Sequence, residues 1–247
     1  MYPFLQVTPA GFTFSIWGVI YTWQALWIIY AWTFVFRPRM PRTIFTGVYI
    51  GYTLVSATNI TWIYVWGNLH VTAACVVLFL FNAFFYPTIA MLVGYFYKVR
   101  EKPHRVDTVL TWILPVNGLF LYATWTTIAS LLNLAAALQY SSSNVNPIDS
   151  GTVALTLLLV TVLVYFVLEN TVLYRVLRYV LSVYPVVIWA LIGALSVHWG
   201  VEGEERNSRF ALGLLIITIV LFIVRIILVV LFGVVRPLCK SNAPVKV

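Results

Sequence analysis

The chain has 247 residues, of which 62% are hydrophobic and 9% are charged. Soluble domains usually contain about 45–50% apolar and about 25% charged residues, so this composition excludes an ordinary soluble protein and indicates an integral membrane protein. The formal net charge is +8. In a soluble chain that charge would suggest nucleic acid, but here the basic residues cluster between apolar runs, so no nucleic-acid partner is expected.

Apolar runs of the length that crosses a bilayer, roughly 17–25 residues, recur along the chain with short breaks. Each span must be helical, because a backbone exposed to lipid has to satisfy its own hydrogen bonds. The sequence therefore predicts an all-α, polytopic helix bundle that crosses a membrane about seven times. The predicted spans are residues 10–36, 44–66, 71–97, 107–138, 151–174, 179–200 and 210–235.

The basic residues predict the orientation of the bundle. Twelve of the fifteen follow the first, third, fifth and seventh spans: Arg37, Arg39, Arg42, Lys98, Arg100, Lys102, Arg105, Arg175, Arg178, Arg236, Lys240 and Lys246. Because loops on the inner side carry an excess of Lys and Arg, the amino end is predicted to lie outside and the carboxyl end inside.

The first span begins with the stretch TPAGFTFSIWGVIY. Thr8 is expected to cap this helix through its hydroxyl, with Pro9 in the first turn, where its missing N–H is not needed. Trp17, Tyr21 and Gln24 follow at spacings of four and three, which places an indole, a phenol and an amide on one helical face.

Two later spans carry similar polar and aromatic faces. The second has Asn59, Trp62 and Trp66 at spacings of three and four. In the fourth, one face holds Tyr122, Trp125, Ala129 and Asn133, and the small Ala129 leaves room between its neighbours. Residues 139–150 form the longest polar loop and suggest two regions, a four-helix core at 1–140 and an additional three-helix region at 141–247.

These motifs resemble the tryptophan-rich sensory protein (TspO, or translocator protein) family. In that family a proline-containing loop leads into a helix with W-G-x-x-Y, met here by Trp17, Gly18 and Tyr21. A later helix carries N-x-x-W, and the last carries a Trp, a small residue four positions on and an Asn four beyond. Together the matches cover roughly residues 8–138. The family's usual first helix is not found before the proline loop, so either it is missing from this chain or another helix replaces it.

The resemblance implies an intramembrane pocket for a flat or rigid apolar ligand such as a porphyrin, haem or a sterol, used in its transport or sensing. The ligand-binding set it implies is Trp17, Tyr21, Asn59, Trp62, Trp125, Ala129 and Asn133. No cofactor is required, although haem or porphyrin could be the ligand. Membrane lipid is the other expected partner, and the glycine and alanine faces allow a homodimer.

Other interpretations stay open. The aromatic residues could serve only in packing, and seven spans also fit a seven-helix receptor or an unrelated small-molecule transporter. No catalytic motif is found, so an enzyme is not expected. His70 and His198 are expected to be ordinary surface residues, and no metal site is predicted. Arg225 lies within the seventh span, where a charge is costly unless it is paired. It is expected either to bind an acidic group of the ligand or to pair with an acid on another helix, with Asp107 and Glu169 as candidates, or else to extend toward the inner headgroups.

Overall fold

The computed structural model describes residues 5–36, 42–98, 105–141 and 145–235. Within these ranges the protein is built from helices and turns without strands, which confirms the predicted all-α bundle. The helices are α1 (Ile16–Trp32), α2 (Arg42–Gly67), α3 (Val71–Lys98), α4 (Arg105–Thr111), α5 (Asn117–Tyr140), α6 (Pro147–Asn170), α7 (Val183–His198) and α8 (Glu205–Val235). Most of the basic loops lie outside the described residues, so the orientation stays a prediction.

The start of α1 differs from the prediction. A 3-10 turn, Gly11–Ser15, precedes the helix, and its N-cap is Ala10, without a side-chain cap bond. Thr8 therefore does not cap the helix. Its carbonyl instead accepts a hydrogen bond from His198, 190 residues away, a partner that local sequence cannot reveal.

Helices α4 and α5 form one rod, joined by a π-helical stretch, Trp112–Val116, which contains Pro115. Proline has no N–H to donate, and a single π-helical turn inside an α-helix accommodates the missing hydrogen bond. In this stretch the Asn117 N–H bonds the Trp112 carbonyl. The carbonyl of Ile113 is thereby left to accept the indole N–H of Trp23 on α1, at 3.1 Å.

Helix α5 lies at the centre of the bundle and packs against α1, α3, α6 and α7. Helix α2 packs along α3, and α8 packs against α6 and α7. One continuous hydrophobic core joins both predicted regions, from Phe85 on α3 through Tyr122 on α5 to Leu158 on α6 and Ala190 on α7. The division near residue 140 stays a prediction.

Five helical segments are long and apolar enough to cross a membrane: Gly11–Trp32, Val71–Gly94, Val109–Tyr140, Pro147–Asn170 and Glu205–Leu231. Helix α7 is apolar but shorter. The predicted fifth and sixth spans were too long, because α6 ends at Asn170 and residues 171–182 form turns before α7 begins. Much of α8 exposes apolar side chains, as expected of a lipid-facing helix.

Candidate functional site

Four aromatic rings from α1 and α2 form a row in which each ring is nearly parallel to the next. Tyr21 stacks on Trp17 with ring centroids 5.4 Å apart and an angle of 22° between planes. Trp17 faces Trp62 at 6.5 Å and 27°, and Trp62 stacks on Trp66 at 6.3 Å and 20°. We call Tyr21, Trp17, Trp62 and Trp66 the aromatic row.

Local sequence and helix packing together produce this row. Residues four apart on a helix lie one above the other, so each helix contributes one stacked pair. Among the described residues, no Cα atom of α1 lies within 8 Å of a Cα atom of α2. The gap between these two helices is therefore wide enough for large side chains, and the contact between Trp17 and Trp62 bridges it.

Helix α5 forms the back wall of the site. Tyr122 and Trp125 set their rings nearly perpendicular to that of Trp17, at centroid distances of 5.9 and 6.4 Å. Phe14, in the turn before α1, meets Trp125 in the same edge-on manner at 6.0 Å. Edge-to-face contacts of this kind add stability beyond the apolar area they bury, so Trp17 is held at the centre of the site.

Amide groups tie the row to its neighbours. The Asn59 Nδ2 donates to the Tyr21 hydroxyl at 3.2 Å, and the Trp62 Nε1 donates to Asn133 Oδ1 at 3.3 Å. Asn133 in turn donates to the carbonyl of Ala129 at 2.9 Å. These bonds link the α1, α2 and α5 faces through their polar atoms.

Two buried polar atoms of the site have no hydrogen-bond partner within the described residues. They are the indole Nε1 of Trp125 and the side-chain oxygen of Asn59. The two residues are only 3% and 6% exposed. An unsatisfied buried donor or acceptor costs about 1–3 kcal/mol, so such atoms call for an explanation.

A second polar group fixes α5 against α3 behind this wall. The buried Asn82 on α3 donates to Ser130 at 2.8 Å and accepts from Thr126 at 3.2 Å. Both hydroxyls also bond carbonyls of their own helix. The network fixes the rotation of α5 against α3, while Trp125 of α5 contacts Trp17 of the aromatic row.

The structure thus brings six of the seven predicted site residues into one set of contacts, and the seventh, Ala129, joins it through its carbonyl, which accepts from Asn133. It adds three that the predicted set left out: Phe14, Trp66 and Tyr122. Trp66 could have been included because it follows Trp62 by four residues. Phe14 gave no such signal, since its place depends on the fold of the turn before α1.

The predicted buried charge, Arg225, is paired. Its Nε lies 3.2 Å from Glu169 Oε2, and the two side chains are 3% and 0% exposed. Its other nitrogens donate to Asn170 Oδ1 at 2.9 Å and to the carbonyls of Leu177 and Arg178 at 2.7 and 3.2 Å. Glu169, one of the two candidate acids left open by the sequence, is therefore the partner, and this cluster is separate from the aromatic row.

The two histidines that were expected at the surface lie in different environments. His70 is exposed as expected, but the prediction for His198 was wrong, because its ring is buried between Glu204 and the Thr8 carbonyl. Within the described part of the chain, no group of three or more His, Cys, Asp or Glu side chains could hold a metal ion.

The fold defines a polytopic helical membrane protein in which aromatic side chains of α1, α2 and α5 cluster together. The family model described as TSPO-like protein matches residues 2–234. The chain belongs to the TSPO-like family, and the match extends beyond residue 138, where the sequence motifs ended. No curated protein and no solved structure shows a significant match to the chain.

Proposed function

We propose that this protein binds a flat or rigid apolar ligand, of the porphyrin, haem or sterol type, at the aromatic row and acts in its transport or sensing. Family membership supports a membrane protein of the TspO type. The observation that carries the proposal is the row itself, with Tyr21, Trp17, Trp62 and Trp66 almost parallel. The proposed role is binding rather than catalysis.

The spacing of the row suits a flat ligand. Apolar surfaces stack at about 3.5 Å, so a planar molecule held between two rings needs about 7 Å between them. The Trp17 and Trp62 centroids are already 6.5 Å apart. A small outward movement of either indole would therefore admit a flat ring system.

The unpartnered polar atoms indicate what such a ligand carries at its edge. Trp125 offers an N–H donor and Asn59 offers an oxygen acceptor. A ligand with a carboxyl or hydroxyl group could satisfy one or both. Porphyrin carboxyl groups and the sterol hydroxyl both meet this requirement.

Access from the bilayer is consistent with the geometry. The backbones of α1 and α2 are well separated, and Tyr21, at one end of the row, is 48% exposed. An apolar ligand dissolved in lipid could reach the row between these helices without crossing water. Lipid contact and a homodimer stay predictions.

A binding titration of the purified protein with protoporphyrin IX, haem and a sterol tests the proposal. Trp125→Phe keeps an aromatic ring but removes the N–H, and Asn59→Ala removes the free acceptor. Each loses a hydrogen bond of about 1 kcal/mol, so affinity should fall by roughly fivefold or more.

Trp32→Phe is the matched control, since Trp32 lies on the same helix as Trp17, is 68% exposed and stands outside the row. It should leave the affinity unchanged. Absence of saturable binding for all three ligands, or equal weakening by the control and the site variants, would refute the proposal.

A further inference from the structure

The turn before α1, Gly11–Ser15, is docked on helix α7, outside the aromatic row. The Trp189 indole on α7 donates to the Thr13 carbonyl at 2.9 Å. Its ring also meets Phe12 edge-on, with ring centroids 5.6 Å apart. Trp189 therefore holds the turn by a hydrogen bond and by an aromatic contact.

Gly193, one helical turn after Trp189, allows this docking to be close. Its carbonyl accepts from the Ala10 N–H at 3.0 Å, and a methyl group added at its Cα would overlap the Thr13 hydroxyl. Thr13 is buried, and its hydroxyl has no hydrogen-bond partner within the described residues, so shape rather than hydrogen bonding fits its side chain against Gly193. Glycine is a poor residue for a helix interior. The close approach of the turn explains its presence here.

The docked turn leads to the aromatic row by two routes. Along the chain, the turn ends at Ser15, and Trp17 follows two residues later on α1. Through space, Phe14 meets Trp125 edge-on at 6.0 Å, and Trp125 meets Trp17 in the same manner at 6.4 Å. Both routes end at Trp17, so a shift of the turn moves the ring at the centre of the row.

The turn is the part of the chain through which α7 reaches α1. Among the described residues, no Cα atom of α1 lies within 8 Å of a Cα atom of α7. The side-chain hydrogen bonds that join α1 to the α4–α5 rod come from Trp23, Gln24 and Tyr30, all further along the helix than Trp17. The beginning of α1 is therefore placed by the turn, and the turn is placed by α7.

We infer that Gly193 and Trp189 are positioning residues for the aromatic row: α7 fixes the turn, and the turn fixes Trp17 for ligand binding. The part of this inference that concerns binding rests on the proposed function, whereas the placement of the row can be measured without a ligand. A helix that lies beyond the sequence motifs thereby sets the geometry of the site.

Gly193→Ala tests the inference. Gly213→Ala is the matched control, because a methyl group added at Gly213 on α8 meets no atom within 4 Å. Near-ultraviolet circular dichroism reports on the row without a ligand, since stacked indoles couple electronically. Gly193→Ala should change these bands while the far-ultraviolet helix signal keeps its wild-type value, and Gly213→Ala should change neither. Adding Thr13→Ala to Gly193→Ala removes the overlapping hydroxyl and should restore most of the wild-type bands.

A titration with protoporphyrin IX measures the consequence for binding. Gly193→Ala should weaken the affinity about tenfold, because overpacking displaces the turn. The double variant should return to within about threefold of the wild-type affinity, and Gly213→Ala should bind as the wild type does. Should Gly193→Ala not fold, Trp189→Phe removes the hydrogen bond to Thr13. It is then compared, by the same two measurements, with Trp199→Phe, which removes an exposed indole at the end of α7.

The two measurements separate this inference from the proposed function. Unchanged near-ultraviolet bands in Gly193→Ala would overturn the inference whatever the affinity does, because the row would not have moved. Changed bands with wild-type affinity, or a double variant that restores nothing, would overturn it as well. If the wild type itself shows no saturable binding, the proposed function fails and the bands alone decide whether α7 positions the row.

Discussion

Replacing Glu169 by Gln removes the negative charge beside Arg225 while keeping nearly the same side-chain size. The guanidinium would keep its bonds to Asn170 and to the carbonyls of Leu177 and Arg178, but it would be buried without a counter-ion. Breaking a buried ion pair from one side costs about 3–5 kcal/mol. In a chain of this size, such a loss lowers the unfolding midpoint by roughly 6–20 °C.

Thermal unfolding in detergent micelles measures this change. The matched control is Asp149→Asn, which breaks the ion pair between Arg206 and Asp149. That pair has a similar distance, 2.9 Å, but its side chains are 58% and 55% exposed. Exposed pairs contribute about 0–1 kcal/mol, so the control should shift the midpoint by only a few degrees.

A double variant separates pairing from simple loss of packing. Glu169→Leu combined with Arg225→Met removes both charges and should be less destabilised than the sum of the two single changes, by at least about 1 kcal/mol. Additive effects, or a midpoint for Glu169→Gln equal to that of Asp149→Asn, would show that the two charges do not stabilise each other.

Two further substitutions test the packing of the bundle by the same assay. Gly51→Ala would place a methyl group against the Thr88 hydroxyl of α3, and we expect it to lower the free energy of unfolding by about 1–3 kcal/mol. Adding Thr88→Ala should restore part of this loss. If it restores none, the contact between these two residues is contradicted. Asn207→Ala removes the buried amide that bonds Gln6 and two groups on α6 and should cost about 1–3 kcal/mol. As a control, Thr156→Ala, at an exposed position, should change the free energy of unfolding by no more than about 0.5 kcal/mol. Equal effects of Asn207→Ala and Thr156→Ala would contradict the burial of Asn207.

The all-helical, polytopic fold could be predicted from the sequence, because bilayer length and backbone hydrogen bonding leave few alternatives. The end of α6 could not. The predicted span continued to residue 174, whereas residues 171–182 form turns and bends whose Leu177 and Arg178 carbonyls accept from Arg225. The charge that needs these acceptors lies about fifty residues further along the chain.

The candidate site was predictable where helical spacing determines which side chains share a face. Trp17 and Tyr21 on α1 and Trp62 on α2 are examples, and the family motifs linked them to Trp125. The distance between α1 and α2 could not be predicted from the sequence. That distance determines whether indoles from the two helices contact each other. The prediction that His198 lies at the surface was wrong for a similar reason: its contact with Thr8 is formed by residues far apart in sequence and exists only in the folded chain.

Bound protoporphyrin IX offers the most direct test of the aromatic row, because under light it oxidises the side chains beside it. After brief illumination of the complex, mass spectrometry would locate the modified tryptophans. We expect Trp17 and Trp62 to be modified first, ahead of Trp32 and Trp199, which are 68% and 57% exposed. Modification that follows exposure, with Trp32 and Trp199 leading, would show that the ligand does not bind at the row.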